Sequence, residues 1–456
     1  TDWTGLIPQY FEQIMFDTIL VGEFEVCLSK VKWEIDDIYD LPSTLNGKTV
    51  AQIGSSAFAN QIQVTSITLP STITSIGVNA FSGCTSLTSI NIPANVTSIG
   101  AGAFAGCSSL TNITIPAGVT SVGEGAFAGC SNLNISVNIS NPNYSAQGNI
   151  LYNKAKTKII GSGDVSANIT IPNTVTEVCA SAFSGNTNLQ RVDIYGMPVI
   201  DDFAFYDCAN LDEVYFYSYT VPEIGAGAFS DNIFTVYVPY NKQSSYYTIF
   251  SGYTDNIDSI PITVTLKKDG VAYQTVNTYY GADISGMTDP YKEGYTFNYW
   301  VDTEGNTYQN GDVWDSTVDL AVEADWTARQ FHITFSGYGT EDLDAISVTY
   351  DQPIGTLPVI SKTGNTFNGW KDENGVYYTA DTIWQRTSNL MLTSDFSPNE
   401  YTITYNGNGG TASVAEQDVE YGTVISSFAT ANKTGYTFTG WNMQADGTGE
   451  TISTPY

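Results

Sequence analysis

The sequence predicts a mainly β protein in two parts: a solenoid of stacked coils, then tandem small β-rich repeats. Three observations predict it. An Ala-Phe pair recurs through the first half every 22 to 24 residues, with one interruption. A Gly-x-x-Phe-x-x-Trp segment recurs through the second half, its tryptophans 70 and 71 residues apart. Both halves also carry short apolar alternations of period two, such as Ile90-x-Ile92 and Ile262-Thr-Val-Thr-Leu266, which is the strand period.

Bulk composition bounds the function. At 456 residues the chain is too long for one core. Its formal charge is −31, and both halves contribute: 22 acidic against 8 basic residues over 1–261, then 25 against 8. Such a surface repels nucleic acid and anionic lipid heads. No apolar run is long enough to span a membrane, and Lys and Arg are too sparse for a polybasic tether. The chain opens at Thr1 with no charged-then-apolar leader, which reads as a mature or trimmed chain. Leu41-Pro42-Ser43-Thr44 continues with Leu45 and is rejected as a sorting signal.

Residues 1–32 fit neither repeat. Phe11, Ile14, Met15, Ile19 and Leu20 suit a short amphipathic helix capping the first coil, whose apolar side would otherwise face water.

Residues 33–260 form the solenoid. Phe58, Phe81, Phe104 and Phe127 lie 23 residues apart, and Phe183, Phe205 and Phe229 continue after the interruption. One such coil cannot bury its own apolar side. Stacked at the strand spacing of about 4.8 Å, equivalent residues form columns, and each buried Phe contributes about 1.5–3 kcal/mol. Pro93 and Pro116 end the strands where no ladder N–H is needed, and Gly77, Gly100 and Gly123 are assigned to tight turns.

The pattern L-x-x-I-x-I-P-x-x-V-T-S-I-G-x-x-A-F-x-G-C, nearly whole at 87–107 and 110–130, resembles the bacterial leucine-rich repeats of the BspA or Treponema type. Asn141-Pro142-Asn143-Tyr144-Ser145 and Ile150-Leu151-Tyr152-Asn153-Lys154 resemble that family's extended repeat, and Asp40 to Val50 its first coil. The resemblance spans about residues 33–250 and implies a leucine-rich-repeat solenoid on a bacterial surface.

The second half divides into units 262–327, 330–397 and 400–456. Each opens with an alternating strand: Ile262 to Leu266, Phe331 to Phe335, Tyr401 to Tyr405. The first two close with Leu320 to Trp326 and Leu390 to Phe396. The Gly-x-x-Phe-x-x-Trp segments resemble the Listeria–Bacteroides repeat, also called the internalin B-repeat, which implies a small β-grasp-like module acting as a stalk. The third unit lacks its closing aromatic, so it is read as truncated and the parent protein is expected to continue.

Catalytic, cofactor and metal sites are not expected. Cys84, Cys107, Cys130 and Cys208 each follow a column Phe by three residues, so they read as small core residues; Cys27 and Cys179 receive no role. No C-x-x-C pair exists, and His332, the one histidine, alternates outward in a strand, which removes the usual zinc and Ser-His arrangements. The Gly-x-Gly pairs at 100, 123 and 225 lack the last glycine of a nucleotide loop. Asp201, Asp202, Asp207, Asp212 and Glu213 read as a solvated acidic cluster without the calcium-loop glycine. A paired-carboxylate carbohydrate hydrolase remains a remote alternative, disfavoured because an open solenoid face does not desolvate one acid.

The informative surface is the strand face. If the Ile-x-Ile residues point inward, the residues between them point out. The first coils then present Ser66, Thr68, Ser89, Asn91, Asn112 and Thr114, with no charge between Lys48 and Glu124. The last coils present Arg191, Asp193, Glu213, Tyr215, Tyr217 and Tyr237, amphipathic area of the kind enriched at hot spots. These six are the candidate binding residues. The expected function is an extracellular adhesin or recognition protein whose solenoid meets a protein or glycan on a host, a neighbouring cell or the matrix. The alternative is a wall or matrix spacer without a specific ligand.

Overall fold

The computed structural model describes residues 16–22, 25–31, 38–45, 47–254 and 256–456. Each coil carries two short strands, and each strand pairs in parallel with its equivalent one coil away. One sheet joins Ile38–Asp40, Ser66–Thr68, Ser89–Ile90, Asn112–Ile115 and Asn134–Val137. The other joins Lys48–Ile53, Ser75–Ile76, Ser98–Ile99 and Ser121–Val122. Ser66 faces Ser89 and Ser75 faces Ser98, so the 23-residue spacing is the pairing register.

Between the sheets the phenylalanines form the expected column. Centroids lie 5.2, 5.4 and 5.9 Å apart from Phe58 through Phe127, with the rings within 14° of parallel. Phe183, Phe205 and Phe229 stack at 4.9 and 5.0 Å. The backbone follows the rings: Phe81 N–H donates to Ala103 O and Phe104 N–H to Ala126 O, both at 2.8 Å. Cys84, Cys107, Cys130 and Cys208, the cysteines that follow a column Phe, are free and buried. Each thiol points at a carbonyl of the preceding coil, with Cys84 to Phe58 O, Cys107 to Phe81 O and Cys130 to Phe104 O all at 3.1 Å.

Gly77, Gly100 and Gly123 each open a turn, their carbonyls accepting from Ala80, Ala103 and Ala126 N–H at 3.3, 3.2 and 3.3 Å, but the turn is not what requires glycine. None adopts a left-handed backbone. Instead a Cβ on Gly100 would lie 2.5 Å from Val78 N, and one on Gly123 2.3 Å from Ala101 N. These glycines let successive coils touch through their backbones.

The interruption is looped out of the column. Tyr144–Gln147 and Ile150–Asn153 form an antiparallel hairpin that continues into Lys158–Ser162. The turn carrying Phe127 meets the turn carrying Phe183 directly, Gly129 N–H donating to Ser184 O at 2.8 Å. Buried Asn141 anchors the insertion: its Nδ2 donates to Pro116 O and Val119 O, and its Oδ1 accepts from Asn143 and Tyr144 N–H.

At the N-terminal side the helix expectation fails where it can be judged. Ile19 and Leu20 lie in the strand Phe16–Gly22, which pairs antiparallel with Glu25–Val31, itself parallel to Lys48–Ile53. An open sheet edge offers a run of apolar residues a ladder of backbone bonds, and strand wins. Phe11, Ile14 and Met15 lie outside the described residues. At the other end the helix Gln243–Phe250 sets Tyr246 and Phe250 against Phe216, at 5.4 and 5.3 Å, and Phe250 against Phe229 at 5.6 Å.

The second repeat is a five-stranded sheet ordered Ile346–Thr349, Gln330–Ser336, Leu390–Pro398, Asn365–Lys371, Tyr377–Tyr378. Its closing strand is central, parallel to the opening strand and antiparallel to Asn365–Lys371. Trp370 and Trp384 are fully buried beside it. In the first repeat Tyr295–Val301 pairs likewise with Leu320–Ala328 and Thr307–Tyr308. The third holds two-stranded pairings only, among them Glu400–Thr404 with Glu416–Glu420. His332 is exposed, as its strand position implies.

The chain divides into two compact units. One holds residues 1–265, 275–286 and 310–321; the other holds 266–274, 287–309 and 322–456. No helix of the described residues is long and apolar enough to cross a membrane.

Candidate functional site

The second half of the solenoid places Asn168–Ile171, Arg191–Ile194, Glu213–Phe216, Thr235–Val238 and Ile257–Ser259 in one parallel sheet. Valine and isoleucine alternate inward, so the intervening residues line up on the outer face. One row runs Asn168, Arg191, Glu213, Thr235; the next runs Thr170, Asp193, Tyr215, Tyr237, Asp258. Five of the six candidate residues therefore come together on adjacent strands, and Tyr217 follows directly after Glu213–Phe216.

Their contacts are mutual. Arg191 holds Asp193 through Nε, 3.0 Å from Oδ2, and Nη2, 2.7 Å from Oδ1. The Tyr217 hydroxyl donates to Asp193 Oδ1 at 2.9 Å, and Glu213 lies 3.6 Å from Arg191 Nη1. The Arg191 guanidinium sits 3.7 Å over the Tyr215 ring, and Tyr215 stacks on Tyr237 at 4.3 Å. Hydrogen bonding to Asp193 raises the Arg191 pKa, and burial raises those of Tyr215 and Tyr217, so all three keep their protons throughout the neutral range.

This packing corrects the expectation of an open tyrosine patch. Tyr215 is 7% exposed and Tyr217 only 6%. Alternation directs Tyr215 outward, but Arg191 and Tyr237 cover its ring from either side. Tyr217 is covered by Tyr195, stacked at 4.3 Å, and by the edge of Tyr280 at 6.0 Å. What reaches solvent is the margin: Tyr195 at 38%, Tyr219 at 44%, and the half-buried Arg191, Glu213 and Tyr237.

Sequence reasoning missed Tyr195, although its place 22 residues before Tyr217 repeats the strand register. Tyr280, from the following repeat, carries no such signal.

The five acidic residues do not form one cluster. Glu213 belongs to the outer strand face, whereas Asp201 follows Val199–Ile200 in the other sheet. Among the described residues, Glu177, Cys179 and Asp201 place one ligand atom each within 4.8 Å of one another. Glu177 is already ion-paired with Lys158 and accepts the Cys179 thiol at 3.4 Å. Burial and the flanking carboxylate push that thiol up to about 12. A cation there would compete with Lys158 and the thiol proton.

Two repeat families account for most of the chain. Residues 51–167 and 162–270 match the BspA type leucine rich repeat region, and residues 263–326, 331–396 and 401–455 match the Listeria-Bacteroides repeat domain. Two proteins of Evansella cellulosilytica are similar, each 29% identical. One, provisionally named a Gly-rich membrane protein, aligns over 33% of this chain and 18% of its own length. The other, provisionally named a membrane protein, aligns over 41% and 29%. The chain thus spans less than a third of either relative. Among solved structures, a leucine-rich repeat protein from Eubacterium ventriosum is 26% identical, covering 49% of this chain and 71% of that one, with TM-score 0.36. The leucine rich repeat protein of T. pallidum is 20% identical, covering 52% and 93%, with TM-score 0.29.

Proposed function

We propose, from the premise that this chain is built of BspA type leucine rich repeats joined to Listeria-Bacteroides repeats, that it is a non-enzymatic recognition protein of the bacterial surface. Its solenoid meets a protein or glycan of a host cell, a neighbouring cell or the matrix, and the β-repeats set that face apart from its anchorage. The ligand edge is the margin formed by Arg191, Tyr195, Glu213, Tyr219 and Tyr237, and Asp193, Tyr215 and Tyr217 brace it. The strands Phe16–Gly22 and Glu25–Val31 cap the first coil.

The observation that carries this reading is the convergence of three strands on one aromatic and charged network in the last coils. From Ser66 to Thr114 the strand face of the first coils presents only small uncharged side chains. A rigid, braced tyrosine edge loses little side-chain entropy on binding, which is what interface anchors require. The network's internal pairing favours a second reading, a spacer whose last coils are merely sealed: Asp193 already satisfies both Arg191 and Tyr217.

The two separate on a glycan and matrix-protein array probed with the whole chain. Recognition expects saturable binding that Tyr195→Ala or Tyr237→Ala weakens at least about tenfold, a loss of about 1.4 kcal/mol. A chain that binds nothing, or binds as well after both substitutions, is a spacer at this face.

A further inference from the structure

Neighbouring β-repeats are joined by single residues. Leu320–Ala328 runs into Gln330–Ser336 through Arg329, and Leu390–Pro398 into Glu400–Thr404 through Asn399. A one-residue linker by itself still allows two modules to swing. Here each linking residue is bonded on both sides. Arg329 N–H donates to Gly294 O at 2.9 Å, while Arg329 O accepts from Tyr350 N–H at 3.0 Å. Asn399 repeats the arrangement, donating to Gly364 O at 2.8 Å and accepting from Tyr421 N–H at 2.9 Å.

Both bridges bring a tyrosine of one repeat onto a glycine of the repeat before it. Gly294 and Gly364 are left-handed, at φ +77° and +70°. A Cβ on Gly294 would fall 2.3 Å from the Tyr350 ring, and one on Gly364 2.1 Å from the Tyr421 ring. Only the bare glycine backbone leaves room for the ring. At the first joint Tyr295 adds an edge contact to Tyr350 at 5.6 Å and a hydroxyl bond to Asp351 at 2.9 Å.

The same tyrosine position in the first repeat is Tyr280, 70 residues before Tyr350. Its N–H donates to Ile260 O at 2.9 Å, and its ring packs against Tyr219 at 5.6 Å. A Cβ on the adjoining Gly281 would lie 2.6 Å from the Tyr219 hydroxyl.

We infer that this tyrosine-on-glycine joint is an interlock that fixes the second and third β-repeats each against the repeat before it, so that these modules hold their direction instead of flexing at their linkers. The inference concerns the repeats alone and stands whether or not the solenoid has a ligand.

Gly435 supplies a matched control. It occupies the motif position of Gly294 and Gly364 and is left-handed at φ +87°, but a Cβ there meets nothing within 4 Å. Alanine therefore imposes the same backbone strain at Gly435 and at Gly364, and meets a ring only at Gly364. The test is nuclear spin relaxation on the labelled whole chain, comparing amides of residues 330–398 with those of 400–456. The parent and Gly435→Ala should show one common rotational correlation time for both segments. Gly364→Ala should separate the two, and amide exchange at Tyr421 should rise at least tenfold. Tyr421→Ala, which removes the ring without a clash, should do the same. Independent tumbling in the parent, common tumbling in both Gly364→Ala and Tyr421→Ala, or equal loosening by Gly435→Ala would overturn the interlock.

Discussion

Replacing Gly100 by alanine tests the inter-coil contact most directly. The added Cβ would lie 2.5 Å from Val78 N, 2.6 Å from Gly77 C and 2.8 Å from Gly77 O. All three are backbone atoms, so no side chain can swing aside, and the coils must part by about 1 Å to restore van der Waals distance. Parting strains two bonds that cross the seam, Gly100 N–H to Ile76 O and Asn79 N–H to Ala101 O, each 2.8 Å. Overpacking costs about 1–3 kcal/mol and each weakened bond about 0.5–1.5 kcal/mol, which together place the loss near 4 kcal/mol. Urea unfolding followed by circular dichroism measures it. Gly252→Ala is the comparison, because a Cβ there meets nothing within 4 Å and the backbone is not left-handed. It should stay within about 0.5 kcal/mol of the parent. If Gly100→Ala proves as mild as Gly252→Ala, backbone contact between coils is not what the glycine provides.

Further outcomes follow from the same packing. Burial holds the Cys84 thiol at about 11 and those of Cys130 and Cys208 at about 12, against an ordinary 9.0. These thiols ionise more readily in the unfolded chain, so their contribution is complete below pH 9 and is lost as pH climbs toward the folded values; a urea midpoint that does not fall above pH 9 contradicts this. Asn141→Ala takes the Oδ1 acceptor from Asn143 and Tyr144 N–H and one of the two donors from each of Pro116 O and Val119 O, and should cost about 2–4 kcal/mol with amide exchange rising first over 141–153. Arg191→Ala uncovers the Tyr215 ring and leaves Asp193 with one hydroxyl partner; a loss of about 1–2 kcal/mol is expected, and parent-like stability in urea would remove the bracing role.

The sequence by itself determined the solenoid and its register. Residues that recur every 23 positions can be buried only by stacking, and strand alternation follows from a period of two. It also placed Arg191, Asp193, Glu213, Tyr215, Tyr217 and Tyr237 on one side, because alternation fixes which face a residue leaves from. Tertiary structure alone decided whether those side chains stay open. Exposure depends on neighbours across the sheet, and Arg191, Tyr195, Tyr237 and Tyr280 cover two of the rings that alternation directs outward. The same holds for Gly100. Sequence marks a turn where a side chain is unwelcome, but only the distance to Val78 shows that contact between coils is the reason. Local periodicity is a property of the chain, whereas coverage is a property of what packs upon it.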